Sequence, residues 1–127
     1  GRTQSLVRES AARLDRTNQE LEREYRKTER IVRSAYSSLV SSTAMLAALR
    51  EGILAQEIRL ATRLKGFESG VETSVSVLDA YQSYYAARRD FMNARYEYLK
   101  NRLMLKQAVG SLARNDVADL DLMLEQK

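Results

Sequence analysis

The stretch Lys65-Gly66-Phe67-Glu68-Ser69-Gly70-Val71-Glu72-Thr73-Ser74-Val75-Ser76 decides the fold. Two glycines in five residues interrupt a long helical pattern and can supply the positive φ values of a helix C-cap and a tight turn. Thr73, Ser74 and Ser76 then stand as candidate N-caps, and Ser76 with Asp79 has capping-box spacing. A helix that stops, a short reversal and a helix that restarts make an antiparallel hairpin.

Upstream of this stretch no proline occurs, and Gly52 is the only glycine between residues 3 and 65. Apolar residues recur in steps of three and four: Val7, Ala11, Leu14, Leu21, Tyr25, Val32, Ala35, Leu39, Leu46, Leu49, Ile53 and Leu60. This is a heptad seam with polar gaps at Asn18, Thr28, Ser42 and Gln56. Glu9–Arg13, Glu22–Arg26 and Glu29–Arg33 have the favourable i, i+4 order. A helix of about 60 residues would run about 90 Å, which suits a coiled coil or a tube rather than a compact domain of this size.

Downstream, Val77, Tyr84, Phe91, Tyr98, Leu105 and Leu112 lie seven apart, beside a second column of Leu78, Tyr85, Met92 and Leu99. A strict repeat of seven implies left-handed supercoiling against a partner. Gly110 is expected to end this helix, with Asn115 capping a last short one from Asp116 to about Leu124. At about 36 residues, or about 54 Å, the second helix would cover only part of the first. The seam from Val7 to Leu39 would then need another chain or further parts of the same polypeptide. The fold class is all-α, a long antiparallel coiled-coil helical hairpin. Residues 1–66 form the long helix, 67–73 the turn, 74–112 the shorter helix and 113–127 a following segment.

Composition narrows the function classes. The 127 residues contain no cysteine and no histidine, so thiol nucleophiles, imidazole bases and soft metal ligands are missing. The charge of +4 comes from 21 basic and 17 acidic residues that are interspersed, which marks solvated helix faces rather than a nucleic-acid footprint. No apolar run reaches the roughly 18 to 20 residues that span a bilayer, and no signal-peptide layout opens the chain, which is expected to be soluble as it stands. No Asp or Glu pair sits where a dry, pKa-shifting pocket would form, and Asp119–Asp121 reads as an exposed face. The expectation is no enzyme, no cofactor and no metal.

The turn and second helix resemble the second structural repeat of TolC-type outer-membrane efflux proteins. The resemblance is carried by Gly70-Val71-Glu72-Thr73-Ser74-Val75-Ser76-Val77-Leu78-Asp79-Ala80, by Ala94-Arg95-Tyr96-Glu97-Tyr98-Leu99-Lys100-Asn101-Arg102-Leu103, and by Leu105-Lys106-Gln107-Ala108-Val109-Gly110-Ser111-Leu112. Gly1-Arg2-Thr3 and Val32-Arg33-Ser34-Ala35-Tyr36 resemble the family's long helix as it leaves a β-barrel. The resemblance implies a homotrimeric duct with a barrel in the outer membrane and a helical tunnel in the periplasm. It serves tripartite efflux or type I secretion together with a periplasmic adaptor protein and an inner-membrane transporter. Residues 113–127 would open the equatorial segment.

By the same resemblance, Gly70, Val71, Glu72 and Thr73 would dock the adaptor. Ser76 and Asp79 would stand at the constriction, where family members carry two carboxylates, so one acidic ring remains here. The family's gate tyrosine and arginine match Phe67 and Glu72, which cannot make the same bonds. Read without the resemblance, Asp79 is an N-terminal helix carboxylate favoured by the macrodipole. Arg88, Arg95 and Arg102 form a basic stripe suited to snorkelling and ion pairs. Two other functions fit a hairpin: the hairpin of a periplasmic adaptor, which would be flanked by glycine-rich β segments, and a coiled-coil scaffold, which would not need this tip.

Overall fold

The computed structural model describes residues 1–125, the side chains of Asn115, Asp116, Asp119 and Met123 excepted. Two helices make up the described chain: α1, Arg2–Glu68, and α2, Ser74–Glu125. They form a helical hairpin around a reversal of five residues, 69–73. The chain divides into two compact units, one of Ser37–Leu103 and one of Gly1–Tyr36 with Met104–Lys127.

In the Ser37–Leu103 unit the covered positions of α1 keep the heptad register. Leu39, Ser42, Leu46, Leu49, Ile53, Gln56, Leu60 and Arg63 are all buried or half-buried at steps of three and four. Facing positions on α2 are Val77, Ala80, Tyr84, Ala87, Phe91, Ala94, Tyr98 and Asn101. Large side chains alternate there with alanines, so each large residue has a small neighbour on its own helix and the two helices can interdigitate. Arg50 of α1 lies over the Phe91 ring of α2, 5.8 Å from its centroid. The polar gap at Ser42 is bridged, with the Asn101 amide donating to its hydroxyl. Small residues at this level, among them Ser38, Ser42 and Ala94, leave an open groove of about 440 Å³. The Gln56 side-chain oxygen is buried in the seam without a hydrogen-bond partner.

In the other unit, Val32 and Ala35 of α1 and Leu105, Ala108 and Leu112 of α2 continue the two patterns. Residues 1–27 are exposed throughout, including the seam residues Val7, Leu14, Leu21 and Tyr25. This stretch is held locally by the expected Glu9–Arg13 and Glu22–Arg26 pairs, and the expected Glu29–Arg33 pair follows it. Such exposed i, i+4 pairs contribute about 0.3–0.5 kcal/mol each.

Three expectations change. The second helix does not stop at Gly110 but runs as one element to Glu125, 52 residues in all. Val32, Ala35 and Leu39 are half-buried, so the exposed part of the seam runs from Val7 to Tyr25 rather than to Leu39. The first helix also runs slightly further than residue 66, to Glu68. The cap assigned to Asn115 and half of the Asp119–Asp121 reading fall outside the described side chains; Asp121 is exposed. Gly110 sits inside α2, its φ is not positive, and a Cβ added there meets nothing within 4 Å. Gly110→Ala should therefore stabilise the chain by about 0.5–1 kcal/mol through helix propensity alone, read as a rise in urea midpoint.

The core is sparse. Leu60, Ala80 and Ala108 are the buried hydrophobic residues among those described, and the chain exposes 10245 Å². A compact monomer of the same mass would expose about 6,900 Å². The second α2 column, Leu78, Tyr85, Met92 and Leu99, is exposed along its length. Arg88, the first of the basic stripe, lies 5.8 Å from the centroid of the Tyr84 ring on its own helix.

Candidate functional site at the hairpin tip

The reversal is built from backbone hydrogen bonds that the two glycines permit. Gly70 has φ +79°, the left-handed value that L side chains rarely adopt. Around it, the Val71 N–H donates to the Gly66 carbonyl at 2.8 Å and the Gly70 N–H donates to Phe67 at 3.1 Å. This is the Schellman pattern, with Gly70 as the first residue past the cap. The Glu72 N–H and the Ser69 hydroxyl also donate to the Gly66 carbonyl, at 3.0 and 3.1 Å. One helix-end oxygen thus gathers three donors.

Gly66 has a second reason to be glycine. A Cβ there would sit 2.5 Å from Cγ of Glu72, so the missing side chain lets Glu72 fold back against α1. Its carboxylate accepts from Arg63 Nη1 at 2.6 Å. A hydrogen bond from Ser76 and the Arg63 contact together hold the Glu72 carboxyl below its ordinary range. Of the three candidate caps, Thr73 is the one used: its hydroxyl accepts from the Ser76 N–H at 3.1 Å.

One turn further along α2, Asp79 is not a partner of Ser76, and the capping-box spacing goes unused. Its carboxylate accepts from Arg59 Nη2 at 2.9 Å, while Arg59 Nη1 donates to the Ser83 hydroxyl at 3.1 Å. The Asp79 side chain is 62% exposed and that of Arg59 37%, so the pair contributes at most about 1 kcal/mol to stability. Phe67, in the last turn of α1, and Val71, in the reversal, are both exposed, Val71 to 80%.

The expected site residues thus separate into two groups. Glu72, Thr73 and Ser76 form one hydrogen-bonded cluster with Gly66 and Gly70, whereas Asp79 belongs to a second cluster with Arg59 and Ser83. Arg59 and Arg63 were not singled out from sequence, although a signal was present. Arg63 continues the seam three residues past Leu60, where an apolar residue would be the default, and a charge at a seam position asks for a partner across the helices. Both ion pairs that cross from α1 toward α2 among the described residues lie here, in the last turns of the hairpin.

Chemically, this is a polar, hydrogen-bonded knob with an exposed apolar point at Val71. No cluster of three or more metal-ligating side chains occurs among the described residues, and no described helix is long and apolar enough to cross a membrane. The lowered Glu72 pKa fixes a pH dependence. A carboxyl whose folded pKa lies below its unfolded value contributes stability above the unfolded value, about 4.3 for Glu, and loses it as the pH falls through the folded value. Glu72→Gln should therefore be less stable than the parent at neutral pH. The difference should shrink in acid below about pH 4, as read from urea midpoints measured across the range.

Residues 1–111 match the family described as outer membrane efflux protein. The chain is 33% identical over 125 residues to the outer membrane protein TolC of Vibrio cholerae serotype O1, covering 98% of this chain and 28% of that protein. It is 29% identical over 126 residues to the outer membrane protein TolC of Escherichia coli K12, covering 99% and 26%. To the alkaline protease secretion protein AprF of Pseudomonas aeruginosa it is 31% identical over 124 residues, covering 97% and 25%. The chain therefore spans about a quarter of the length of these curated relatives. The match takes in α1, the whole tip and α2 as far as Ser111, and the chain belongs to the outer membrane efflux protein family.

Proposed function

We propose that this hairpin is part of the periplasmic tunnel wall and entrance of an outer-membrane channel for efflux or type I secretion. The observation that carries the reading is the family match running unbroken through α1, the tip and α2 as far as residue 111. Secretion stands beside efflux because one relative is named as a protease secretion protein. The exposed columns support a wall element: Leu78, Tyr85, Met92 and Leu99 on α2, and Val7 to Tyr25 on α1, are apolar stripes at coiled-coil spacing. In a homotrimeric tunnel, neighbouring hairpins and the other repeat of the same polypeptide would cover them. The channel would be a passive conduit, with an inner-membrane transporter supplying energy and selecting cargo. Family membership favours this reading over an adaptor hairpin or a coiled-coil scaffold.

At the tip, Gly70, Val71, Glu72 and Thr73 would meet a periplasmic adaptor protein. Val71 is the apolar point of a turn in which the N–H groups of residues 69 to 72 already have partners within the chain, so docking would bury a side chain and leave those donors paired. Ser76 and Asp79 would face the entrance, with Phe67 and Glu72 at the positions where neighbouring coils meet. A photo-crosslinking amino acid placed at Val71 of the full-length protein should yield an adduct with the adaptor in cells. One at Tyr96, also exposed but far along α2 from the turn, should not. Equal adducts from both positions, or none from Val71, would contradict docking at the tip.

A further inference from the structure

We propose that Arg59 sets the charge of the entrance by holding Asp79 as an internal ion pair, so that the ring at this level is neutral rather than acidic. The proposal rests on the reading that Asp79 stands at the constriction. Arg59 is fixed by two acceptors on consecutive turns of α2, Asp79 Oδ2 at 2.9 Å and Ser83 Oγ at 3.1 Å, each taken by a different guanidinium nitrogen. A planar fork anchored at both prongs is held in place more firmly than a lone lysine would be. The guanidinium therefore stays beside the carboxylate although both are partly open to water.

The surroundings add no compensating negative charge. One turn earlier on α2 stands the neutral Ser76, and one turn later the neutral Ser83. The neighbouring carboxylate, Glu72, is itself engaged by Arg63. Across the last turns of the hairpin, the two acids facing α1 are matched one to one by two arginines. A set of such hairpins around an axis would bring together ion pairs, not free carboxylates. A divalent cation approaching Asp79 would have to displace Arg59 or share the carboxylate with it, and would feel almost no net attraction from the pair.

The test uses the full-length channel in planar bilayers, with Mg²⁺ added as the probe and single-channel conductance as the readout. The parent should be nearly indifferent to Mg²⁺. Arg59→Gln should free the carboxylates and lower the half-blocking Mg²⁺ concentration about tenfold, with a shift toward cation selectivity. Arg59→Gln combined with Asp79→Asn should lose that block again, which separates exposed charge from a disturbed fold. Strong Mg²⁺ block of the parent that Asp79→Asn removes and Arg59→Gln leaves unchanged would overturn the proposal while keeping Asp79 at the constriction. If neither substitution alters conductance or block, Asp79 does not stand at the constriction, and the proposal falls with that placement.

Discussion

Leu60→Ala should cost the hairpin about 2–3 kcal/mol, more than any other single truncation in the chain. Leu60 is 9% exposed, the one large aliphatic side chain among the three buried hydrophobic residues described. Removing its isobutyl group loses transfer free energy and leaves a void that the facing helix can only partly close. A sparse core has little reserve, so a loss of this size is a large share of total stability. Far-UV circular dichroism during urea unfolding measures it as a lower midpoint. The matched control is Leu54→Ala on the exposed side of α1, expected to fall within about 0.5 kcal/mol of the parent.

The opposite change at the facing helix should be comparably damaging. Ala80 is 0% exposed, and Ala80→Leu adds three carbons where no surface remains to receive them. Overpacking of this kind costs about 1–3 kcal/mol. Here the relief available is separation of α1 from α2 near the turn. That separation would pull Arg59 from Asp79, one residue before Ala80, so the damage should reach the tip. Val75→Leu, at an open position 74% exposed, should change little. Amide hydrogen exchange checks the spread: protection in the last turns of α1 and the first turns of α2 should fall together in the Ala80 variant.

These two residues show why the hairpin was legible and where legibility stopped. The α1 seam follows from apolar steps of three and four, and its polar gaps at Ser42 and Gln56 fall on covered positions as the register requires. On α2 the sequence offers two columns seven apart, and nothing in the period alone chooses between them. The structure covers Val77, Tyr84, Phe91 and Tyr98 and leaves Leu78, Tyr85, Met92 and Leu99 open. The alanines decide it: Ala80, Ala87 and Ala94 share the first face, and only a face with small residues between large ones lets two helices approach closely.

Gly110 misled because a glycine near the end of a periodic stretch resembles a cap, whereas a cap requires a positive φ that Gly110 does not have. Packing on either side, at Ala108 and Leu112, carries the helix through. The tip turn was legible from Gly66 and Gly70, since few other residues could make it. Arg59 and Arg63 were hidden because their partners lie beyond the end of α1, on α2 for Arg59 and in the turn for Arg63. The axial alignment of two helices depends on the turn's geometry and on side-chain packing, neither of which the spacing of residues along one helix contains. Asp79 therefore read as a helix-terminal or constriction carboxylate, without its Arg59 partner.

The central claim is that this tip forms the entrance of an outer-membrane channel, and a thiol label tests it most directly. These 127 residues contain no cysteine, so Asp79→Cys gives this segment a single reactive site. The measurement is single-channel conductance of the full-length protein before and after that cysteine is labelled with a bulky thiol reagent. A severalfold drop in conductance on labelling is expected, because the added group would narrow the tightest part of the path. Complete labelling with unchanged conductance would contradict the claim.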